Sequence, residues 1–585
     1  MTLWNPFDAP PLVAGLICAA ALTLAAAGLA RLVARLRLSR AKHPSLRGHP
    51  RIALRLARRL PFYEYTAAQY PRSDGAPEEV VQRRVEGFRR LATHFKERAP
   101  RTLEQSARLE PQVPDLAFTN SYRVPFQYRS LVKEQLRLGC LLAESRGVRV
   151  CDLDGNWSYD LGGAYGMNVF GYGFYKECIE KGIERVRALG PFLGSYHPVL
   201  IENVARLREI SGLDEVSFHM SGTEAVMQAV RLARYHTRRS HIVRFCGAYH
   251  GWWDEVQPGP GNPGKVGAVY TLRDMDERSL GILRTRKDIA CVLVNPLQAM
   301  HPNASAPSDS MLLDSSRGAH FDRAAYAAWL AQLREVCTQR GIVLILDEVF
   351  LGFRIARGGA QEYFGVRADL VTYGKTLGGG LPVGVVCGKS ELMKRYRDDR
   401  PSDICFARGT FNSHPYVMGT MNEFLRRLEE PGMLASYERI DERWNARAEE
   451  LNARLAAQDL PVRVVNFCSV WTTVYTLPSR FNWMFQFYLR AQGLSLSWVG
   501  SGRIVFSHNY TDEDFEAVAQ RFVAAARAMQ ADGWWWQGAE LSNKSIRRRV
   551  LREVLAAALG RRDGRPGAAE PTPAEPLAAC AKPER

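Results

Sequence analysis

Residues 370–386 read LVTYGKTLGGGLPVGVV, and the rest of the chain is organised around them. LVTYG is an apolar run of strand length that ends on Gly374, delivers Lys375 and gives way to three consecutive glycines, Gly378 to Gly380. Glycines in series mark a place where backbone approaches something closely. A lysine at the end of a buried strand loses hydration. That lowers its pKa and leaves an amine nucleophilic enough to condense with an aldehyde. The rival reading of Gly-Lys-Thr is a phosphate-binding P-loop, which needs a glycine five residues before Gly374. The residue there is Asp369, so the P-loop fails.

Upstream, apolar runs recur as IVLILD (342–347), ACVLVN (290–295), HIVRF (241–245) and VSFHM (216–220), with helical segments such as Thr223–Tyr235 between them. Continuous apolar strands alternating with helices predict an α/β fold, a mostly parallel sheet covered on both faces. Ligands bind such sheets at the carboxyl ends of the strands. Asp347 ends one strand, where a carboxylate either pairs with a pyridinium nitrogen or caps a neighbouring loop. Ser221-Gly222-Thr223-Glu224-Ala225 lies between strand and helix, as an anion-binding turn or as a simple capping box. In Ala248-Tyr249-His250-Gly251, Tyr249 either stacks on a planar ring or fills the core. Further upstream, VRVCDL (148–153) and WSYDL (157–161) flank Asp154-Gly155-Asn156, a hairpin signal. Beyond about Pro415, long helices with short strands (VRVVNFCSVWTTVY, then GRIVFSHNY) predict a smaller α+β domain.

Taken in order, S-G-T-E-A, Y-H-G, L-D-E-V with Gly352-Phe353-Arg354, G-K-T-L-G-G-G-L-P-V-G and Gly409-Thr410-Phe411 resemble the class III pyridoxal-phosphate aminotransferases over roughly Val148 to Met529. The chain is most similar to the glutamate-1-semialdehyde aminomutase-like branch and to aminotransferase domains attached to polyketide and peptide synthases. The resemblance implies fold type I, with a large and a small domain, and pyridoxal 5'-phosphate as cofactor. It implies Lys375 as the Schiff-base lysine and proton shuttle, and Asp347 bonded to the pyridine nitrogen. Ser221, Gly222 and Thr223 would surround the phosphate, with Tyr249 and His250 beside the ring. Thr410 would reach the phosphate from the second subunit of a homodimer. Three departures stand out. Asn295 occupies a place where many members carry an acid, and His414 one where asparagine is common. No arginine is evident for a substrate α-carboxylate, Arg503 and Arg408 being the only candidates. These departures favour a hydrophobic, lipid- or polyketide-like carbonyl acceptor, free or carrier-tethered, served by a small amino donor. An aminomutase and a catalytically silent membrane scaffold are the alternatives.

The flanks carry most of the charge of +17. Leu12 to Ala30 is nineteen residues without a charge, near the length of a transmembrane helix. Arg31, Arg35, Arg37, Arg40 and Lys42 follow it, whereas the leader before it has no Lys or Arg. The positive-inside bias therefore places the catalytic body in the cytoplasm and Trp4 and Phe7 at the outer interface, and argues against a signal peptide. Residues 33–118 form a basic helical accessory region in which Glu78–Phe95 is amphipathic, and Pro100, Pro111 and Pro114 mark a linker. The expected division is 1–32 leader and anchor, 33–118 accessory region, 119–415 large domain, 416–530 small domain and 531–585 C-terminal flank. In that flank Trp534-Trp535-Trp536 and the basic helix behind them either touch lipid or pack on the enzyme, and the Pro/Ala-rich tail from about Gly564 reads as disordered. The charges would also suit nucleic acid, but no recognition motif accompanies them. The eleven cysteines are scattered without metal spacing or pairing, which predicts free thiols and no metal site.

Overall fold

The computed structural model describes residues 11–262, 264, 267–300, 314–497 and 502–560. The leader with Trp4 and Phe7 and the tail from Gly564 lie outside them. The uncharged N-terminal run forms helix α1 (Pro11–Ala41), and none of its apolar span is buried against the body. Its base is pinned, because Arg273 N donates to Ala41 O at 3.1 Å. Helix α2 (Pro50–Ala57) follows, then α3 (Glu78–Arg98), whose Val81, Val85, Phe88, Leu91 and Phe95 bury one face at the spacing of the sequence pattern. Arg84 on α3 pairs with Asp74 at 2.8 Å, both side chains buried, and also donates to Pro71 O and Gly533 O. The stretch read as a linker is helical: Pro100 and Pro114 each open a short helix, Pro100–Leu109 and Pro114–Tyr122, where the missing N–H removes no helical bond.

A meander of β1 (Leu142–Arg146), β2 (Arg149–Asp152) and β3 (Trp157–Asp160) contains the hairpin at Asp154-Gly155. The central sheet then comprises β4 (Glu215–His219), β5 (His241–Phe245), β6 (Val269–Leu272), β7 (Ile289–Val294), β8 (Val343–Asp347), β9 (Leu370–Gly374) and β10 (Gly384–Gly388). Its order is β4-β10-β9-β8-β7-β5-β6, with β10 alone running against the others. Every residue of β7, β8 and β9 is buried, which is why these strands read as unbroken apolar runs. Helix α4 (Gly222–Thr237) leaves β4 at the carboxyl edge and packs on the sheet through Ala225, Val226, Ala229 and Val230.

Helix α5 (Pro415–Arg427) packs against the helices Tyr172–Val186 and Val199–Ser211 and the turn after Lys375. The smaller domain sets α6 (Ile440–Ala456) and α7 (Asp512–Ala531) around a short sheet of β13 (Val462–Phe467), β14 (Val470–Tyr475) and β16 (Ile504–Val505); before it lies the β11–β12 hairpin (Tyr396–Arg397, Arg400–Ile404), and β15 (Leu494–Ser495) joins β3 in parallel. Arg354 sits fully buried where the domains meet. It donates to Ser469 Oγ, Phe506 O, Gly166 O and Asn168 O. Of the tryptophan triplet, Trp534 and Trp535 are core residues whose indole N–H groups donate to Tyr488 Oη and Asn482 Oδ1, so packing rather than lipid accounts for them. Helix α8 (Asn543–Gly560) is held by Glu553, which accepts from Tyr63, Tyr65 and Arg480. Tyr63 and Tyr65, before the central sheet in sequence, thus meet α8, after it, at Arg480 and Glu553.

Candidate active site

Four loops meet at the carboxyl ends of β4, β5, β8 and β9, and glycine is what admits them. A Cβ on Gly222 would lie 2.7 Å from Val349 Cγ1, two residues past Asp347. One on Gly251, whose φ is +91°, would lie 2.5 Å from Thr223 Oγ1. Gly374, just before Lys375, approaches Gly222 so closely that its Cβ would sit 3.6 Å from the Gly222 Cα. From the antiparallel strand, a Cβ on Gly384 would fall 1.9 Å from Ser221 O. Ser221-Gly222-Thr223, Tyr249-His250-Gly251, Asp347 and Lys375 are thereby gathered at one end of the sheet.

Asp347 is buried, and His250 donates from Nδ1 to its Oδ2 at 2.8 Å. Val349 N and the Thr372 hydroxyl donate to Oδ1 at 3.2 and 3.3 Å. The carboxylate is therefore fixed in orientation from three sides. The other ring nitrogen of His250 is buried without a partner among the described residues. Lys375 has a left-handed backbone, φ +46°, a strained conformation for a side-chain-bearing residue and one that clusters at functional sites. Burial lowers its pKa; Asp347 pulls it back up and Arg354 adds to the lowering. Behind it Thr376 and the Tyr175 hydroxyl are 2.6 Å apart, locking the turn to the helix Tyr172–Val186.

Ser221 caps α4, accepting from Glu224 N at 3.3 Å, while the Glu224 carboxylate accepts from Met220 N at 2.9 Å. The capping reading and the anion reading coexist, because the amides of Gly222 and Thr223, first in the helix, have no acceptor among the described residues and carry the positive end of the helix dipole. Tyr249 is 55% exposed, its phenol pKa raised by partial burial and by the negative charge of Asp347. It is therefore not a core tyrosine. Asn295 Nδ2 donates to Tyr249 O at 2.9 Å and holds that loop in place.

Thr410 is exposed and is not among the residues gathered at this end of the sheet. Arg408 is likewise exposed. Arg503 is different: its guanidinium lies 5.9 Å from the Phe350 ring centroid, with the Lys375 amine 6.0 Å and Arg354 5.7 Å from the same ring. Burial, with Arg317 adding repulsion, pushes its pKa down to about 10, and it makes no ion pair with the described residues. His414 accepts from Tyr416 N and caps α5, the same service asparagine gives at a helix start. Phe350, Thr372, Thr376, Tyr175 and Gly384 are site residues that sequence reasoning missed. The legible signal was Thr372, a hydroxyl in an otherwise apolar buried strand.

The ensemble offers an amine, a fixed carboxylate, orphan helix amides and a partly exposed aromatic face. A planar phosphorylated pyridine aldehyde needs those four things, so the donor set fits pyridoxal phosphate. A family model described as Aminotransferase class-III matches residues 131–525. The glutamate-1-semialdehyde 2,1-aminomutase of Acetivibrio thermocellus is 32% identical over 320 residues, covering 52% of this chain and 69% of the relative. That of Desulfotalea psychrophila is 31% identical over 373 residues, covering 60% and 80%. Among solved structures, a glutamate-1-semialdehyde aminomutase from Pseudomonas aeruginosa PAO1 superposes with TM-score 0.62 at 19% identity, covering 76% of this chain and 98% of that one. A transaminase with PLP bound does so with TM-score 0.59 at 26% identity, covering 74% and 99%.

Proposed function

Because the chain belongs to the class-III aminotransferase family, a pyridoxal-phosphate-dependent group of fold type I, we propose that it carries an amino group from a small donor to an aldehyde or ketone on a hydrophobic chain. When bound, the cofactor supplies an aldehyde for an amine to condense with and a ring that withdraws electrons from the substrate carbon. Lys375 is the amine that holds the aldehyde. Once displaced by substrate, its Nζ takes the proton from the substrate carbon that bears nitrogen, work suited to an amine whose pKa burial has lowered. Asp347 holds the proton on the ring nitrogen, and His250 keeps that carboxylate aimed. The amides of Gly222 and Thr223, with Ser221, hold the phosphate, and Tyr249 covers the ring. Thr410 reaches the phosphate of a second copy in a homodimer. Arg503, without an acid of its own, receives the carboxylate of the amino donor.

The observation that carries this reading is the Lys375 amine, in strained backbone, without an ion-pair partner among the described residues and within electrostatic reach of the buried Asp347 that His250 holds. The hydrophobic acceptor is supported by α1, an unburied apolar helix that would hold the active site beside lipid and raise the local concentration of a membrane-dissolved substrate, with the body on the cytoplasmic face. The test is mass spectrometry of products from long-chain aldehydes offered with common amino donors. Transfer yields an amine together with a released keto product of the donor. The second reading, an aminomutase, is favoured by the names of the curated relatives; it yields an isomer and releases no second keto product. Resistance of the full chain to alkaline carbonate extraction tests the anchor.

A further inference from the structure

Helix α8 carries a face that its own packing leaves unexplained. It docks through Ile546, which is buried, and Glu553, which is bound to Arg480, Tyr63 and Tyr65. At roughly 100° per residue the opposite side collects Leu551, Leu555 and Leu559 with Lys544, Arg548 and Arg552 in one sector of about 100°. The three leucines are each more than half exposed. Glu553, the helix's one acid, points inward, so this face combines aliphatic side chains with cations that have no ion-pair partner among the described residues.

Helix α2 repeats the design. Pro50 and Ala53 are buried, while Ile52 and Leu56 are about half exposed and flanked by the exposed Arg51 and Arg55, again without an acid. The segment that follows α2 ties it to α8, because Tyr63 and Tyr65 donate to Glu553 of α8. Only residues 42–49 separate α1 from α2 along the chain.

We propose that the outer faces of α2 and α8 form one docking surface for the anionic headgroup layer of the bilayer that α1 enters. This rests on the reading of α1 as an anchor and extends it to how the body sits on the membrane. An aliphatic row adds nothing to phosphate neutralisation, which carries sequence-independent nucleic-acid binding, and no recognition motif accompanies this one. A row of leucines beside arginines is what an interfacial helix presents, with the apolar side chains below the headgroups and the cations among the phosphates. Held at two helices and one anchor, the body loses its freedom to swing about α1, and the crevice keeps one orientation to the lipid.

The test uses the full chain in nanodiscs, with the photocrosslinker p-benzoylphenylalanine placed singly at Leu555, Ile52, Leu24 in α1, or Leu434, an exposed leucine on the body. With phosphatidylserine present, lipid adducts at Leu555 and Ile52 should exceed those at Leu434 several-fold. They should fall in purely phosphatidylcholine discs and in an Arg548→Glu/Arg552→Glu background. Adducts at Leu24 with only the Leu434 level at Leu555 and Ile52 would overturn the docking surface and leave the anchor standing. No lipid adduct at Leu24 would remove the anchor and this inference with it. Adducts at Leu555 to a polypeptide or to nucleic acid in place of lipid would also overturn it.

Discussion

Gly384→Ala offers a sharp probe of how the sheet shapes the site. The new methyl would sit 1.9 Å from Ser221 O, and 3.2 Å from the Ala225 Cβ. The clash is with backbone, so no side chain can swing away. Ser221 O also accepts the first hydrogen bond of α4, from Ala225 N at 3.1 Å. Relieving the overlap needs a shift of about 1 Å in the turn whose amides are proposed to hold the phosphate. Overpacking of that kind costs about 1–3 kcal/mol, and a weakened helix-end bond about 1 kcal/mol more. If most of that falls on the turn, cofactor affinity should drop on the order of a hundredfold, since about 1.4 kcal/mol is tenfold. The assay is titration of the apoprotein with pyridoxal phosphate, followed by its visible absorbance. Gly281→Ala is the matched control: it lies inside the helix Glu277–Thr285 with nothing within 4 Å of the added methyl, and should leave affinity unchanged. Wild-type affinity in Gly384→Ala would refute the claim that the strand and the phosphate turn are in contact.

Asp347→Asn should keep the fold and lower kcat a hundred- to thousandfold, the scale expected when one fixed charge at a reacting centre is lost; steady-state kinetics on the holoenzyme read it. Arg354→Met should destabilise by more than about 3 kcal/mol, because acceptors on four residues lose a buried donor; an unchanged urea midpoint would contradict this. Glu348 is buried against the amides of Ala360 and Gln361, and burial raises its pKa from 4.5 to about 7. The folded state thus keeps a proton that the unfolded chain releases. The associated stability is full below pH 4.5 and is lost as pH rises through about 7, a change on the order of 3 kcal/mol. Glu348→Gln cannot ionise, so its denaturation midpoint should fall less than wild type between pH 5 and 7.5; equal slopes would exclude Glu348 as the source.

The strands on which the site is built were legible because they are buried on both faces: HIVRF and LVTYG coincide with β5 and β9. Two strands were not. β6 is four residues long and lies at the sheet edge, and β10 is hidden inside GGGLPVGVV, where glycines read as loop although Gly384 is glycine for contact and not for a turn. Ser221, Asp347 and Lys375 could be found by their places at strand ends. Phe350 could not, because nothing in a linear sequence shows that Lys375, Arg354 and Arg503 surround one ring. The prolines misled for a physical reason: Pro at the first position of a helix and Pro in a linker look alike until the following turns are seen. The tryptophan triplet was ambiguous because an indole suits a membrane interface and a protein core equally well, and only the partners of Trp534 and Trp535 decide it.

The most direct measurement is borohydride reduction of the purified holoprotein followed by peptide mass spectrometry. The peptide containing Lys375 should carry a phosphopyridoxyl group, and Lys375→Ala should carry none. An unmodified Lys375, or a label on some other lysine, would contradict the assignment on which the roles of Asp347, His250, Tyr249 and the phosphate turn all depend.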